Sequence, residues 1–116
     1  MVKFAEMTEL DKYRVQVINL CTKHKVKRLY VFGSAVHNRL TPGSDIDFLV
    51  DFDEMDTINY ADNYFDLKFS LEEVFNRRID LLEEKALENP YLIQAINQER
   101  QLVYSTFSFT TTKSLI

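Results

Sequence analysis

An α/β fold, with a small mixed β-sheet packed against helices, is predicted by three features of this 116-residue chain. Apolar residues recur at steps of three and four over three segments, which predicts amphipathic helices. Short β-branched and aromatic runs lie between these segments and predict strands. The predicted order is helix, strand, strand, helix, strand, helix, strand, and this order favours an α/β sandwich built on one sheet.

The composition predicts one globular domain. With 116 residues, 46% of them hydrophobic, the chain has no room for a second core. Its net charge of -4 argues against an extended nucleic-acid surface, which normally carries a basic excess. The one cysteine, Cys21, cannot form an internal disulfide, and no signal peptide or long apolar span is present. We therefore expect a cytoplasmic protein with no membrane partner.

The first helix is predicted over residues 7–24. Its apolar face is formed by Leu10, Tyr13, Val17, Leu20 and Cys21. Cys21 is expected to be buried in this face as a small hydrophobic residue. His24 is expected to lie on the surface, among the cations at the C-terminal end of the helix.

Two strands, predicted over 28–32 and 46–52, flank a short connector. Alternation in the second strand places Asp45 and Asp47 on one face, with Cα atoms roughly 7 Å apart. Two carboxylates this close repel one another and lose hydration unless they share a cation. Hard oxygen ligands with no His or Cys beside them favour Mg²⁺. The acidic run 51–56 that follows is either an extension of the metal site or a solvated connection, and its density of charge favours the solvated connection.

The connector begins with Gly33 and Ser34, followed by residues 35–38, which are predicted to form a turn of helix. Glycine lets backbone amides approach a phosphate closely, and the serine hydroxyl can donate to a phosphate oxygen. A helix N-terminus also favours negative charge. Phosphates on one side and a carboxylate-held Mg²⁺ on the other indicate a nucleoside-triphosphate site.

A second helix is predicted over 57–75 and a third strand over 79–82. This strand contains Asp80, a single carboxylate within an apolar run. A strand carboxylate buried without a partner is costly, so Asp80 is expected to bind a metal or to pair with Arg77 or Arg78.

A third helix is predicted to begin at Asn89 and Pro90, because asparagine is a good N-cap and proline suits the first helical position. It is predicted to run to about Arg100. Three apolar residues are expected to face the core: Leu92, Ala95 and Ile96.

A short last strand is predicted over 101–104. We assign residues 1–104 to one domain and 105–116 to a C-terminal tail. This tail is polar and rich in hydroxyl groups, so we expect either a mobile segment or an edge extension. Its Phe107 and Phe109 alternate, which leaves a strand able to pair with another chain, including a second copy in a homo-oligomer.

Gly33-Ser34, ten intervening residues and Asp45-Ile46-Asp47 together resemble the signature of the minimal nucleotidyltransferases of the DNA polymerase beta superfamily. The resemblance covers nearly the whole chain and implies the polymerase beta-like nucleotidyltransferase fold. It implies that Asp45, Asp47 and Asp80 are the catalytic residues and hold two Mg²⁺ ions, for which Mn²⁺ can substitute. It also implies that Gly33 and Ser34 bind the β- and γ-phosphates.

The resemblance further implies transfer of a nucleoside monophosphate, AMP from ATP, to an acceptor hydroxyl with release of pyrophosphate. Small members of this family are commonly encoded beside HEPN-domain proteins and act as antitoxins that adenylylate a tyrosine of that partner. A HEPN toxin and a nucleoside triphosphate are thus the expected partners. Many members continue Gly-Ser with Arg-x-Arg-Gly, whereas this chain has Ala35-Val36-His37-Asn38 and lacks those guanidinium donors.

Three functions stay open at this point. The first is an Mg²⁺-dependent adenylyltransferase acting on a protein hydroxyl. The second is a non-catalytic antitoxin that neutralises a HEPN partner by contact alone. The third, an aminoglycoside nucleotidyltransferase, is disfavoured because no second domain is available to form an antibiotic pocket.

Overall fold

The computed structural model describes residues 10–37, 41 and 43–106. Within them the helices and strands follow the predicted order, which confirms the α/β fold. The elements are α1 (Arg14–Lys23), β1 (Val26–Phe32), β2 (Ile46–Phe52), α2 (Thr57–Phe75), β3 (Ile79–Glu83), α3 (Pro90–Glu99) and β4 (Gln101–Ser105).

The four strands form a mixed sheet in the order β3-β2-β1-β4. β1 is antiparallel to both β2 and β4, whereas β2 and β3 are parallel. A parallel pair needs a crossover connection, and α2 supplies it between β2 and β3. The register sets Asp47 opposite Phe32 of β1 and beside Asp80 of β3. The mixed sheet predicted from the sequence is therefore confirmed.

The main core lies between one face of the sheet and the helices α1 and α2. Alternation in β2 directs its apolar side chains to this face, as predicted. Val17 and Cys21 of α1 are buried here, which confirms the predicted apolar face of that helix. The buried sheet and α2 residues of this cluster include Leu29, Val31, Ile46, Phe48, Val50, Leu67, Leu71 and Phe75.

α3 covers part of the opposite face through a smaller cluster of Ile96 with Phe32 and Leu49. Asn89 caps this helix as predicted, because its side chain accepts hydrogen bonds from the first-turn amides. Leu92 and Ala95 were predicted to face the core and are exposed instead. The prediction was wrong because α3 rests on the sheet along a narrow line, so a single residue is deeply buried.

His24 is buried, at 2% exposure, and not on the surface as the sequence predicts. Its Nδ1 donates to the carbonyl oxygen of Leu20 at 2.8 Å, and its Nε2 lies 2.6 Å from Asp66 Oδ2 in α2. This hydrogen bond lowers the pKa of Asp66. The side chain of Asn63 donates to the His24 carbonyl at 2.7 Å. The end of α1 is therefore tied to α2 by polar contacts, which explains why a histidine is buried there.

Asp51 was predicted to belong to a solvated connection, and the structure shows it buried instead. It lies inside β2 with a side chain only 3% exposed, where Arg28 Nη2 donates to its Oδ2 at 2.6 Å. Lys85 Nζ lies 3.5 Å from its other oxygen. The hydrogen bond to Asp51 raises the pKa of Arg28. The two cations compensate a carboxylate that would otherwise be costly to bury.

Other boundaries differ at the chain ends. The first helix begins at Arg14 after a separate turn at 10–12, and residues 7–9 lie outside the described residues. The last strand runs one residue further than predicted, to Ser105. The predicted tail beyond it, including Phe107 and Phe109, is outside the described part of the chain. No helix among the described residues is both long and apolar enough to cross a membrane.

Candidate active site

Three carboxylates lie at one end of the sheet. Asp47 and Asp80 are register partners on the parallel strands β2 and β3, and Asp45 directly precedes β2. Neighbouring strands lie about 4.8 Å apart, so in-register side chains share one face. The pKa of Asp47 is raised to about 6, chiefly by burial and then by the negative charges of Asp80, Asp45 and Glu99. The fold thus brings together the three carboxylates singled out from the sequence.

Gly33 lies directly against the carboxylate of Asp47. Its φ is +73°, and a Cβ at this position would lie 2.3 Å from Asp47 Oδ2. Only glycine fits such a close approach. The chain continues as a 3-10 turn over Gly33–Ala35, and the amides of Val36 and His37 both donate to the Gly33 carbonyl, at 3.0 and 3.1 Å. The predicted turn of helix after Gly33-Ser34 is therefore a tighter one, and Asn38 lies outside the described residues.

Glu99 contacts this turn, and the sequence analysis did not identify it. Its Oε1 accepts a hydrogen bond from the Gly33 amide at 2.8 Å. Its Oε2 accepts one from His37 Nε2 at 2.5 Å. One carboxylate therefore bridges the two donors that the Gly33 turn presents to the site.

The end of α3 that carries Glu99 is held on both sides. Ile96 lies one turn earlier and packs into the small cluster on the sheet. Arg100 follows directly, with its guanidinium 4.2 Å from the centre of the Tyr30 ring and 2.8 Å from a carboxylate oxygen of Glu84. A cation over an aromatic face and an ion pair both favour this position. Glu99 is thereby set beside the Gly33 turn.

Arg77 holds the connector that leads into β2. It donates to the carbonyl oxygens of Thr41 and Ser44, at 2.5 and 3.0 Å. The Ser44 side chain accepts from the Thr41 amide at 2.9 Å. These contacts fix the chain immediately before Asp45.

The donor set of this site fits Mg²⁺, because it consists of hard carboxylate oxygens. In the part of the chain that the structure describes, no three His, Cys, Asp or Glu side chains are grouped to hold a metal ion by themselves. Mg²⁺ is usually bound by one or two carboxylates together with substrate phosphates. The residues therefore fit an ion that binds with a nucleotide.

Comparison with known proteins places this geometry in a family. The nucleotidyltransferase domain family matches residues 16–103. The curated relative "Putative protein adenylyltransferase MJ1379" from Methanocaldococcus jannaschii is 32% identical over 104 residues, which cover 90% of this chain and 99% of the relative.

Two solved structures share the fold. One, described as "putative minimal nucleotidyltransferase", is 32% identical with a TM-score of 0.68, over 82% of this chain and 93% of its own. The other is the complex of a tri-AMPylated Shewanella oneidensis HEPN toxin with its MNT antitoxin, at 20% identity and a TM-score of 0.57, over 90% and 77%.

The family match spans most of the chain and includes the Gly33 turn and all three carboxylates. It agrees with the sheet topology and with the Gly-Ser and Asp-x-Asp elements described above. The resemblance drawn from those elements is confirmed. The chain belongs to the nucleotidyltransferase domain family and is a nucleotidyltransferase of the minimal type.

Proposed function

We propose that this protein transfers AMP from ATP to a hydroxyl group of a partner protein, with Mg²⁺ as cofactor, and that the partner is a HEPN-domain toxin. The observation that carries the proposal is the in-register pairing of Asp47 with Asp80 beside the Gly33 turn. Carboxylates and a backbone amide so close together suit a triphosphate that binds with a divalent cation.

In this proposal Asp45 and Asp47 hold the ion that accompanies the triphosphate, and Asp80 helps to hold a second one. Bound Mg²⁺ would supply neutralisation of phosphate charge and a lower pKa for the acceptor hydroxyl. The Gly33 amide and the Ser34 hydroxyl donate to β- and γ-phosphate oxygens.

The acceptor oxygen forms a bond to the α-phosphorus, and the bond from that phosphorus to the bridging oxygen breaks. Pyrophosphate leaves with the bonding electrons. Asp80 is the exposed carboxylate beside Asp47, and it accepts the proton of the acceptor hydroxyl.

A protein acceptor is supported by the name of the curated relative, "Putative protein adenylyltransferase MJ1379". A HEPN partner is supported by the structural neighbour, whose HEPN toxin is AMPylated. We place the reaction in the cytoplasm, where Cys21 stays reduced. Burial raises the pKa of this thiol to about 12, which keeps it out of the chemistry.

The test is incubation of the purified protein with labelled ATP, Mg²⁺ and candidate HEPN-domain partner proteins. We expect AMP on the partner, detected by intact-mass spectrometry. Asp80→Asn should reduce transfer by about 10²-fold or more while most Mg²⁺-ATP binding remains. Asp53→Asn removes an exposed carboxylate beyond β2 and should leave transfer unchanged.

Two outcomes would contradict this proposal. If no partner incorporates AMP and ATP stays intact, the enzymatic function is wrong. If Asp80→Asn unfolds the protein while transfer per folded molecule is unchanged, Asp80 is a structural residue and not a catalytic one.

A second candidate, neutralisation of the toxin by contact alone, is favoured by one observation. The Gly33 amide and the His37 ring already bind the Glu99 carboxylate. The double variant Asp45→Asn with Asp47→Asn separates the two candidates. It retains toxin neutralisation if contact is sufficient and loses it if AMP transfer is required.

A further inference from the structure

The Glu99 carboxylate occupies two donors, the Gly33 amide and His37 Nε2, that are able to hold a phosphate. Both of its oxygens are used, one by the Gly33 amide at 2.8 Å and the other by His37 Nε2 at 2.5 Å. Backbone amides and imidazole N–H groups bind carboxylate and phosphate oxygens with the same hydrogen-bond geometry. The turn is thus an anion site that holds an anion from its own chain.

The position of Glu99 at this turn brings its negative charge close to other carboxylates. Glu99 adds a fourth negative group to Asp45, Asp47 and Asp80, and it contributes to the raised pKa of Asp47. A carboxylate among like charges is retained because its contacts, among them the hydrogen bonds from Gly33 and His37, offset the repulsion. A ligand that brings both phosphate oxygens and a divalent cation would satisfy the same donors and remove that repulsion.

The backbone need not move for Glu99 to leave. Ile96 and Arg100 anchor α3 on either side of it. Glu99 lies at the last turn of the helix and is partly exposed. Rotation about its side-chain bonds moves the carboxylate away from the Gly33 amide and His37, and such rotations of partly exposed side chains are fast.

We propose that Glu99 is a built-in occupant of the polyphosphate position, which swings away when a nucleoside triphosphate binds and leaves His37 as a second phosphate donor beside the Gly33 amide. This rests on the proposed function. It gives His37 a phosphate-binding role. Both groups already contact one carboxylate, so one phosphoryl group can reach both.

Calorimetry with the non-hydrolysable nucleotide AMP-PNP and Mg²⁺ tests the role of Glu99. Glu99→Gln keeps the shape of the side chain but weakens its hold on the two donors. We expect about tenfold to hundredfold tighter AMP-PNP binding than in the wild type, the range set by one charged hydrogen bond. Glu88→Gln removes an exposed carboxylate just before α3 and is the matched control, with an unchanged Kd.

His37→Ala tests the second part, alone and combined with Glu99→Gln. If His37 binds phosphate, the double variant loses most of the gain produced by Glu99→Gln. If His37 only anchors Glu99, His37→Ala alone tightens binding and the double variant matches Glu99→Gln. That second result overturns the phosphate role of His37.

Amide NMR gives a readout independent of affinity, because Gly33 and Gly43 are the only glycines and their signals are readily assigned. The Gly33 amide should shift on Glu99→Gln substitution, and in the wild type on addition of AMP-PNP. This inference alone is overturned if the wild type binds AMP-PNP and the folded Glu99→Gln variant binds it with equal or lower affinity. Absence of AMP-PNP binding in the wild type and in every folded variant removes the proposed function, and this inference with it.

Discussion

Asp47→Asn is expected to stabilise the metal-free protein near neutral pH. Burial and neighbouring negative charges raise the pKa of Asp47 from 3.8 to about 6, so the ionised side chain is less favourable in the fold than in the unfolded chain. A pKa difference of this size corresponds to about 3 kcal/mol. The side chain is partly exposed, and solvent screening reduces the expected gain to about 1–2 kcal/mol.

The pH dependence has a definite sign. At a pH below 3.8, the carboxyl binds its proton in both states, and it contributes no difference in stability. Between 3.8 and about 6 the folded state binds more protons than the unfolded state, so the wild type loses stability as pH rises. Above that window the loss is complete. The stability advantage of Asp47→Asn should therefore grow across the window and then stay constant.

Urea denaturation in EDTA, followed by circular dichroism at several pH values, measures this difference. At neutral pH the expected gain corresponds to a rise in Tm of about 4–8 °C for a domain of this size. Asp45→Asn makes the same substitution two residues away, at an exposed position, and should give a smaller gain. The reasoning is refuted if Asp47→Asn is no more stable than the wild type at neutral pH, or if its advantage is equal at all pH values.

Three further substitutions test the packing that supports the site. Gly33→Ala should destabilise the fold by about 2 kcal/mol and weaken AMP-PNP binding, because its methyl group would lie 2.3 Å from Asp47 Oδ2 at a φ of +73°. Gly43→Ala is the control, because its methyl group would meet no atom within 4 Å, and in thermal melts the Tm of Gly33→Ala should be clearly lower than that of Gly43→Ala. His24→Ala should lower the free energy of unfolding in urea by about 2–3 kcal/mol through lost hydrogen bonds and a cavity; an unchanged midpoint would contradict the tie between α1 and α2. Asp51→Ala should cost about 1–2 kcal/mol in the same assay, because it removes the partner of a guanidinium that is 38% exposed and regains only part of its hydration; wild-type stability would mean that the ion pair contributes little.

Much of the fold could be predicted because its signals are local. The bounds of β2 and α2 agree with the prediction, since alternation over seven residues and apolar periodicity over nineteen are strong patterns. The strand beside which β3 lies was not predicted from the sequence, and the observed register sets Asp80 of β3 beside Asp47 of β2. The catalytic and metal-binding roles of these carboxylates stay predictions.

The features that were missed depend on contacts between distant parts of the chain. Glu99 reaches Gly33 across 66 positions, and His24 reaches Asp66 across 42. Helical periodicity places Glu99 on the same side of α3 as Ile96, but it does not say which end of the sheet that side covers. Likewise, alternation puts Asp51 on the face of Asp47 without revealing that Arg28 neutralises it.

The division of the sheet into two unlike faces bears on how the protein tolerates substitution. The face under α1 and α2 carries the large apolar cluster, whereas the face under α3 carries the small cluster and the catalytic candidates. Changes under α1 and α2 should alter how much folded protein a cell contains, with little effect on the chemistry of each folded molecule. Changes at partly exposed positions such as Glu99 should alter that chemistry with little effect on abundance. The acceptor and nucleotide preferences of such a small domain can therefore diverge through substitutions on the face under α3, while the face under α1 and α2 preserves the fold.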